Sequence, residues 1–204
     1  MHIIDQKVLG ILIILLLALL VAIKRATTGT ILEKPEPNLL LWLVNIFNLF
    51  FLLFANPLAA ILLIIGKIKD VDLSHIEITP PWLLITIEIG GFVIYLTGFL
   101  LMGWALTWLG RNYQLGGSDP RATDSMIMSG PYTFIRHPMY TSALCIAFGL
   151  ACLTESLVCL GAFFVYLVLI LLLIPVEEER LLRAYSKQYR EYQEKVKKLV
   201  PLFF

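Results

Sequence analysis

Apolar residues fall in long, nearly uninterrupted blocks along this chain, and polar residues gather in the segments between them. A helix needs about 20 apolar residues to cross the hydrocarbon layer of a membrane. Blocks of about that length, or somewhat shorter, occur five times. The pattern therefore predicts an all-α integral membrane protein whose five membrane helices lie at residues 8–23, 39–65, 82–109, 139–153 and 157–174.

Three of these segments carry further signals. Residues 39–65 would extend ~40 Å as a straight helix at 1.5 Å per residue, so we expect a tilt or a kink at Pro57. Only Thr154, Glu155 and Ser156 separate the last two blocks, which predicts a tight helical hairpin. Its first arm is short, and it either crosses the membrane or dips into it. Both alternatives return the chain to the side that it left.

Lysine and arginine are distributed unevenly between the two sides. Of the 16 in the chain, 13 fall in the loops 24–38 and 110–138 or in the tail from Arg180 onward. Loops rich in these residues stay cytoplasmic. We therefore expect the 110–138 loop and the carboxyl terminus in the cytoplasm and the amino terminus outside. The first block lacks a basic leader and a cleavage site, so it is expected to be a retained span.

Composition agrees with a membrane protein and argues against other classes. Hydrophobic residues make up 59% of the 204 residues and charged residues 15%, with a mean hydropathy of +0.84, whereas soluble domains carry about 25% charged residues. A net charge of +1, with no basic face beyond the tail, argues against nucleic-acid binding. Cys145, Cys152 and Cys159 recur inside apolar blocks and predict core positions, without a metal site or a disulfide framework.

Three polar residues interrupt the predicted spans. Asn45 and Asn48 are three residues apart and share a helix face, so interhelical hydrogen bonds are expected from both. Glu88 lies near the start of the third span, close to the predicted outer interface. We assign it no function from the sequence.

The start of the fourth helix holds the first cluster of candidate functional residues. Proline is favoured in the first helical turn and restricts the residue before it, so the helix is predicted to begin at Pro138 with His137 as its cap. A helix start attracts anions, and Arg136 adds positive charge there. Tyr140 lies within the first turn. In the alternative interpretation, Arg136 reaches a lipid phosphate and His137 merely caps the helix.

The segment "PVEEERLLRAYSKQYREYQEKVKKLVP", residues 175–201, holds the second cluster. Pro175 is expected to end the fifth helix, and an amphipathic C-terminal helix follows. Glu177 falls on the same predicted stripe as Leu181, Tyr185, Tyr189, Tyr192 and Val196, so its carboxylate is expected to face the protein, with Glu178 beside it. The opposite, basic face is expected to lie on anionic lipid headgroups. The two clusters together would suit a zwitterionic ligand.

These residues resemble, in order, the motifs of the isoprenylcysteine carboxyl methyltransferase family of integral membrane enzymes. The motifs cover roughly the C-terminal half, and the compact chain is more similar to archaeal and bacterial members than to the longer eukaryotic ones. The resemblance implies a three-helix membrane region, residues 1–109, and a catalytic region, residues 110–204, formed by a cytoplasmic loop, the hairpin and the tail helix. The matching positions are Gly130-Pro131-Tyr132, Arg136-His137-Pro138-Met139-Tyr140, and Glu177-Glu178 followed by Leu181, Tyr189 and Tyr192.

The same resemblance implies S-adenosylmethionine as cofactor, S-adenosylhomocysteine as product and no metal. Leu173 stands where eukaryotic members carry an arginine for the substrate carboxylate, and Lys195 stands where another arginine follows the tyrosines. Glycine replaces a glutamine at one cofactor contact, and Gln114 is expected to substitute for it. The implied cofactor contacts are Gln114, Gly117, Asp124, Ser125, Met126, Ile127, Tyr132, His137, Pro138, Met139, Tyr140 and Glu177.

The implied activity is methyl transfer to a lipophilic acceptor that enters from the bilayer, first of all the carboxylate of a prenylated cysteine or an analogue. Arg136 or Lys195 would neutralise this acceptor and Glu178 would orient it. Tyr132 and Tyr140 would face the cationic sulfur, an attraction of about 0.5–2 kcal/mol.

Three alternatives are weighed against this interpretation. Methyl transfer to a phospholipid amine needs no arginine at position 173. An NADPH-dependent membrane sterol-type reductase shares the His-Pro-x-Tyr element, and a transporter or scaffold would spread polar residues through the bundle. The acidic pair with spaced tyrosines and the arginine before His-Pro favour methyl transfer.

Overall fold

The computed structural model describes residues 3–28, 39–110 and 125–200. Within these ranges the chain is helical and its extended contacts are isolated bridges, which confirms the all-α prediction. Four segments are long and apolar enough to cross a membrane, and Pro138–Thr154 is a shorter apolar helix. The α-helices are α1 Gln6–Thr28, α2 Leu39–Leu49, α3 Asn56–Ile65, α4 Ile68–Val71, α5 Pro81–Leu109, α6 Pro138–Thr154 and α7 Leu157–Lys195.

The second predicted span departs from α-helical geometry directly before Pro57. A six-residue π-helical segment, Phe50–Ala55, separates α2 from α3. Proline removes a backbone donor and its ring crowds the carbonyl four residues earlier, so a widened turn relieves the clash. Asn56 connects this segment to α5. Its Nδ2 donates to the Phe51 carbonyl at 2.5 Å, and its Oδ1 accepts from the Tyr95 hydroxyl at 2.5 Å. The predicted span is thus interrupted by a change of helix type directly before Pro57, while the expected tilt or kink stays a prediction.

The predicted hairpin is formed by α6 and α7. α6 begins at Pro138, as predicted, and a left-handed Glu155 followed by Ser156 leads into α7. At 1.5 Å per residue, the 17 residues of α6 extend about 26 Å, slightly less than a hydrocarbon layer of about 30 Å. α6 packs closely on α5, where a Cβ on Gly98 would lie 2.9 Å from the Ser142 carbonyl oxygen.

The fifth helix does not end at Pro175, so that prediction is wrong. α7 continues through Pro175 to Lys195 and is interrupted instead at Ser186, whose φ is 46° and ψ −113°. Leu173 and Glu178 are buried on either side of the proline. Because packing holds both flanks, the helix tolerates the loss of one backbone hydrogen bond. The apolar stretch of α7 still ends at Ile174.

The connecting segments group at two ends of the bundle, as the order of spans predicts. At the hairpin end, the Ile76 amide donates to the Glu155 carbonyl at 2.9 Å, and His75 Nδ1 lies 3.2 Å from the Thr154 carbonyl oxygen. The Ile3 amide there donates to the carboxylate of Glu88 at 2.9 Å. We call the opposite end, which holds residues 125–137 and the carboxyl-terminal part of α7, the loop end.

The two intramembrane asparagines have different environments. Asn48 accepts a hydrogen bond from the Tyr166 hydroxyl of α7, which confirms its predicted interhelical role. Asn45 is buried, but neither its amide nitrogen nor its oxygen has a hydrogen-bond partner in the described part of the chain. The predicted hydrogen bonding is therefore confirmed for Asn48 and is wrong for Asn45.

Candidate functional site

Arg136 and His137 meet Glu178 at the loop end. Arg136 Nε and Nη2 lie 2.8 Å and 2.7 Å from Glu178 Oε1, and His137 Nε2 lies 3.3 Å from the same oxygen. The side chains of Arg136 and Glu178 are 7% and 9% exposed. Lys198 Nζ lies 4.0 Å from the other carboxylate oxygen. Glu178 thus supplies the anion that the sequence predicts at the start of α6.

Glu177 lies on the other side of the imidazole. His137 Nδ1 is 3.7 Å from Glu177 Oε2, which confirms that the two predicted clusters converge. The Glu177 side chain is 20% exposed, however, against 9% for Glu178. The prediction that Glu177 faces the protein is confirmed, since its Oε2 is buried, and Glu178 is the more deeply buried of the two acids. The break at Ser186 interrupts the helical register on which the predicted stripe depended, and Glu178 is the acid buried together with the later tyrosines.

The charge of Glu178 is favoured by its partners. Glu178 lies beyond the apolar stretch of α7. Burial opposes ionisation of this carboxyl group, but hydrogen bonds from His137 and Arg136, together with Coulombic attraction to them, outweigh it and lower its pKa below the ordinary value. Glu178 is therefore an anion at neutral pH and holds the Arg136 and His137 side chains in place.

Aromatic side chains surround this ionic cluster. The ring of Tyr140 stacks on His137 with centroids 5.6 Å apart, and the Tyr192 hydroxyl donates to the Tyr132 carbonyl at 2.5 Å. Tyr189 packs against Tyr192 with ring centroids 6.0 Å apart. Burial, and then the negative charge of Glu178, raise the pKa of the Tyr189 phenol, so it stays a hydrogen-bond donor.

Two buried polar atoms in this region have no hydrogen-bond partner among the described residues. They are Glu177 Oε2, an acceptor, and the Tyr189 hydroxyl, a donor. Buried polar groups are nearly always paired in folded proteins. An unpaired acceptor and an unpaired donor in one cluster indicate a place where a polar ligand satisfies them.

The 3₁₀ turn Gly130–Thr133 carries Tyr132 into this site. Gly130 has a φ of 63°, and a Cβ there would lie 2.5 Å from the Trp108 ring. Glycine is thus required both by the backbone conformation and by the close approach to α5. One turn further along, Phe134 packs on Trp104 with ring centroids 6.2 Å apart.

The other predicted site residues are placed as follows. Pro138 is buried, Met139 packs on the hydrophobic core, and Ser125, Met126 and Ile127 lie in an irregular segment with exposed to intermediate accessibility. Lys195 is exposed at the end of α7. No hydrogen bond or ion pair among the described residues joins Lys195 to the ionic cluster, and Leu173 belongs to the core. Gln114, Gly117 and Asp124 lie outside the described residues.

An apolar groove runs between α1 and α5 and reaches the loop end. Its volume is about 210 Å³. Trp104 lines the groove and also contacts Phe134, two residues before Arg136. One aromatic contact therefore connects the groove to the segment that leads to Arg136. The lining residues are Leu16, Leu19, Leu20, Ile23, Phe99, Leu100, Gly103, Trp104 and Thr107.

Sequence reasoning missed three residues in or beside this site. Thr141 donates to the Leu199 carbonyl in the segment after α7, and Lys198 lies 4.0 Å from Glu178. Tyr189 lies on the predicted inner stripe, but the sequence assigns it no function. The tyrosine spacing was a usable signal for Tyr189. No local pattern marks residues 196–199, because their partners are about 60 residues away.

Comparison with known proteins gives a family match. The model of the phospholipid methyltransferase family matches residues 86–188, just over half of the chain, and leaves the first two spans outside the match. No protein of curated function matches the chain significantly.

A structural comparison agrees on the fold. The structure of the eukaryotic intramembrane Ras methyltransferase, an isoprenylcysteine carboxyl methyltransferase, is similar with a TM-score of 0.52 and 18% sequence identity over 91% of this chain and 74% of that chain. The family match favours methyl transfer over the reductase, transporter and scaffold alternatives. The chain belongs to the phospholipid methyltransferase family of integral membrane methyltransferases.

Proposed function

We propose that the protein transfers a methyl group from S-adenosylmethionine to a lipophilic acceptor at the loop end of the bundle. The observation that carries this proposal is the juxtaposition of His137 and Glu177, 3.7 Å apart, in a member of a methyltransferase family. The unpaired Glu177 oxygen and Tyr189 hydroxyl support a polar ligand at the same place.

The residues present fit S-adenosylmethionine. Its ammonium group or ribose hydroxyls suit the free oxygen of Glu177, and its polar acceptors suit the Tyr189 hydroxyl. The stacked rings of His137 and Tyr140 offer a face to a planar base or to a cationic sulfur. The implied contacts in residues 125–127, Tyr132 and residues 137–140 remain part of the proposal. When bound, the cofactor supplies an electrophilic methyl group on a sulfonium.

The chain's own contribution is positioning. Methyl transfer needs an acceptor in line with the donated carbon and a site from which water is excluded, and good positioning is worth about 7–11 kcal/mol at most. Arg136 and Glu178 bind each other rather than leaving a gap for a ligand. We therefore assign them to holding His137 in place, in preference to the direct acceptor contacts expected from the sequence.

The groove between α1 and α5 suits the hydrocarbon tail of the acceptor. It is lined mostly by apolar side chains of α1 and α5, two of the segments long and apolar enough to cross a membrane. Trp104 links it to Phe134, so a chain lying in the groove would bring its headgroup towards the segment before α6. We propose that the acceptor enters here from the bilayer, while the cofactor enters from the aqueous side.

Two classes of acceptor headgroup are candidates, and the hydrogen-bond partners of Arg136 favour one of them. A carboxylate, as in a prenylated cysteine, needs a cation, but Arg136 is engaged by Glu178 and by backbone carbonyls, and Leu173 offers none. An amine headgroup needs no arginine. Together with the family match, this favours a phospholipid amine, and a prenylated carboxylate is the second candidate.

The sidedness of the protein also remains a proposal. The excess of lysine and arginine in sequence segments 24–38 and 110–138 and in the tail supports a cytoplasmic active site with the amino terminus outside. Cofactor access from the cytoplasm follows from this orientation.

Two experiments test the proposal. Calorimetry of the purified protein with S-adenosylhomocysteine should give binding that His137→Ala and Glu177→Ala each abolish. The matched control is Glu179→Ala, which alters an exposed neighbour on the same helix and should leave affinity unchanged. Unchanged affinity in His137→Ala and Glu177→Ala would refute the site. Transfer of labelled methyl to amine phospholipids and to prenylcysteines then identifies the acceptor, and transfer to neither refutes the proposed acceptor classes.

A further inference from the structure

After α7 ends, residues 196–199 lie beside the segment that precedes α6. We call these four residues the C-terminal strap. The Arg136 amide donates to the Lys197 carbonyl at 2.7 Å, and the His137 amide donates to the Lys198 carbonyl at 3.0 Å. Ile135 and Lys197 form a parallel bridge. The strap therefore pairs with the backbone of the site residues themselves.

Hydrogen bonds from the side chains of Thr141 and Arg136 stabilise this pairing. The Thr141 hydroxyl donates to the Leu199 carbonyl at 2.7 Å, and Leu199 is buried in the hydrophobic core. The Arg136 guanidinium donates to the carbonyls of Gln193 and Val196 at the end of α7. A cation is favourable at a helix carboxyl end, so Arg136 caps α7 while it binds Glu178.

The strap bears directly on the orientation of His137. This residue has φ −121° and ψ 58°, outside both the helical and the extended regions. Its amide is held by the strap, and Pro138 restricts it on the other side. Its imidazole lies between Glu177 and Glu178. The strap and Pro138 restrict the backbone of His137 and thereby the direction of its ring.

We propose that the C-terminal strap is a positioning element for the methyl-donor site, because its pairing with residues 135–137 sets the direction of the His137 imidazole. This inference rests on the proposed function. A tail that only stabilises the fold would contribute equally to all parts of the protein, whereas the hydrogen bonds of the strap converge on Arg136, His137 and Thr141.

The test uses a hydroxyl that lies outside the ligand site. Thr141→Val removes the bond to Leu199, together with the longer contact of the same hydroxyl to the His137 carbonyl at 3.2 Å, with little change in shape, and Thr141→Ser keeps a hydroxyl. Thr86→Val is the control, since the Thr86 hydroxyl donates to the Trp82 carbonyl within α5, near the start of that helix. Loss of one hydrogen bond predicts an affinity for S-adenosylhomocysteine about fivefold weaker in Thr141→Val. Thr141→Ser and Thr86→Val should bind like the wild type.

Hydrogen exchange of the Arg136 and His137 amides gives a second readout that needs no ligand. Both amides should be protected in the wild type and exchange faster in Thr141→Val. A chain truncated after Lys195 should lose this protection and most of the affinity.

Faster exchange with unchanged affinity would overturn the positioning role, and unprotected amides in the wild type would overturn the pairing. If the wild type shows protected amides but binds neither S-adenosylmethionine nor S-adenosylhomocysteine, the proposed function fails, and the role of the strap at a donor site fails with it.

Discussion

Arg136 and Glu178 lie 42 residues apart in the chain, and their side chains meet at a single carboxylate oxygen. Two nitrogens of Arg136 and one of His137 lie within 3.3 Å of Glu178 Oε1. The guanidinium reaches on to the carbonyls at the end of α7. One ion pair thus joins the segment before α6, the middle of α7 and the start of the C-terminal strap.

Removing the carboxylate of Glu178 should destabilise the protein substantially. Loss of one partner leaves the buried Arg136 without its counter-charge, which costs about 3 kcal/mol. The control is Glu179→Gln, whose ion pair with Arg183 is exposed and is worth at most about 1 kcal/mol. Thermal unfolding in one detergent compares Glu178→Gln with this control. Equal unfolding temperatures for the two variants would contradict the structural role of the buried pair.

The lowered pKa of Glu178 also predicts a dependence on pH. A carboxyl group whose pKa is lower in the folded state stabilises the protein above its unfolded pKa of about 4.3, and this contribution is lost as pH falls through the folded pKa. The stability difference between the wild type and Glu178→Gln should therefore be largest near pH 7 and shrink below about pH 4. A difference that grows in acid would show that the sign is wrong.

Tyr189 and Tyr192 should respond differently to loss of their hydroxyl groups. The Tyr189 hydroxyl is buried without a partner among the described residues, so Tyr189→Phe should leave the stability of the free protein unchanged or raise it. Its affinity for S-adenosylhomocysteine should fall. Tyr192→Phe loses the bond to the Tyr132 carbonyl and should be less stable by about 1 kcal/mol. Full ligand affinity in Tyr189→Phe would remove this residue from the site.

A side chain at Gly103 should hinder the lipid acceptor without affecting the cofactor. Gly103 lines the groove between α1 and α5, and a Cβ there would lie 3.3 Å from Ile23. Gly103→Leu should therefore raise KM for the lipid acceptor and leave the affinity for S-adenosylhomocysteine unchanged. Gly161→Leu is the control because a Cβ there meets nothing within 4 Å. An unchanged KM in Gly103→Leu would argue for another entry route.

The contact between α5 and α6 should tolerate no side chain at Gly98. An added Cβ would lie 2.9 Å from the Ser142 carbonyl oxygen and from the Ile146 amide nitrogen, and such overpacking costs about 1–3 kcal/mol. Gly90 lies on the same helix, where a Cβ meets nothing within 4 Å. Gly98→Ala should thus unfold at a lower temperature, whereas Gly90→Ala should be neutral or slightly stabilising. Equal stability of the two variants would contradict this close packing.

The sequence by itself determined the features that depend on local chemistry. Long apolar blocks can bury their backbone polar groups in a membrane only as helices, so the spans were predictable. Pro138 marked the start of α6 because proline suits a first turn, and the three-residue separation of the last two blocks predicted the hairpin. Convergence of His137 and Glu177 followed from the same order of spans.

Only the tertiary structure decided the features that depend on contacts between distant residues. Pro175 interrupts a helix by local rules, but burial of Leu173 and Glu178 on either side carries α7 through it. Glu178 is buried more deeply than Glu177 and shares its buried region with Tyr189 and Tyr192, because the break at Ser186 changes the register of the tyrosines. The pairing of residues 196–199 with the start of α6 depends on backbone hydrogen bonds, which any sequence can form and only proximity selects.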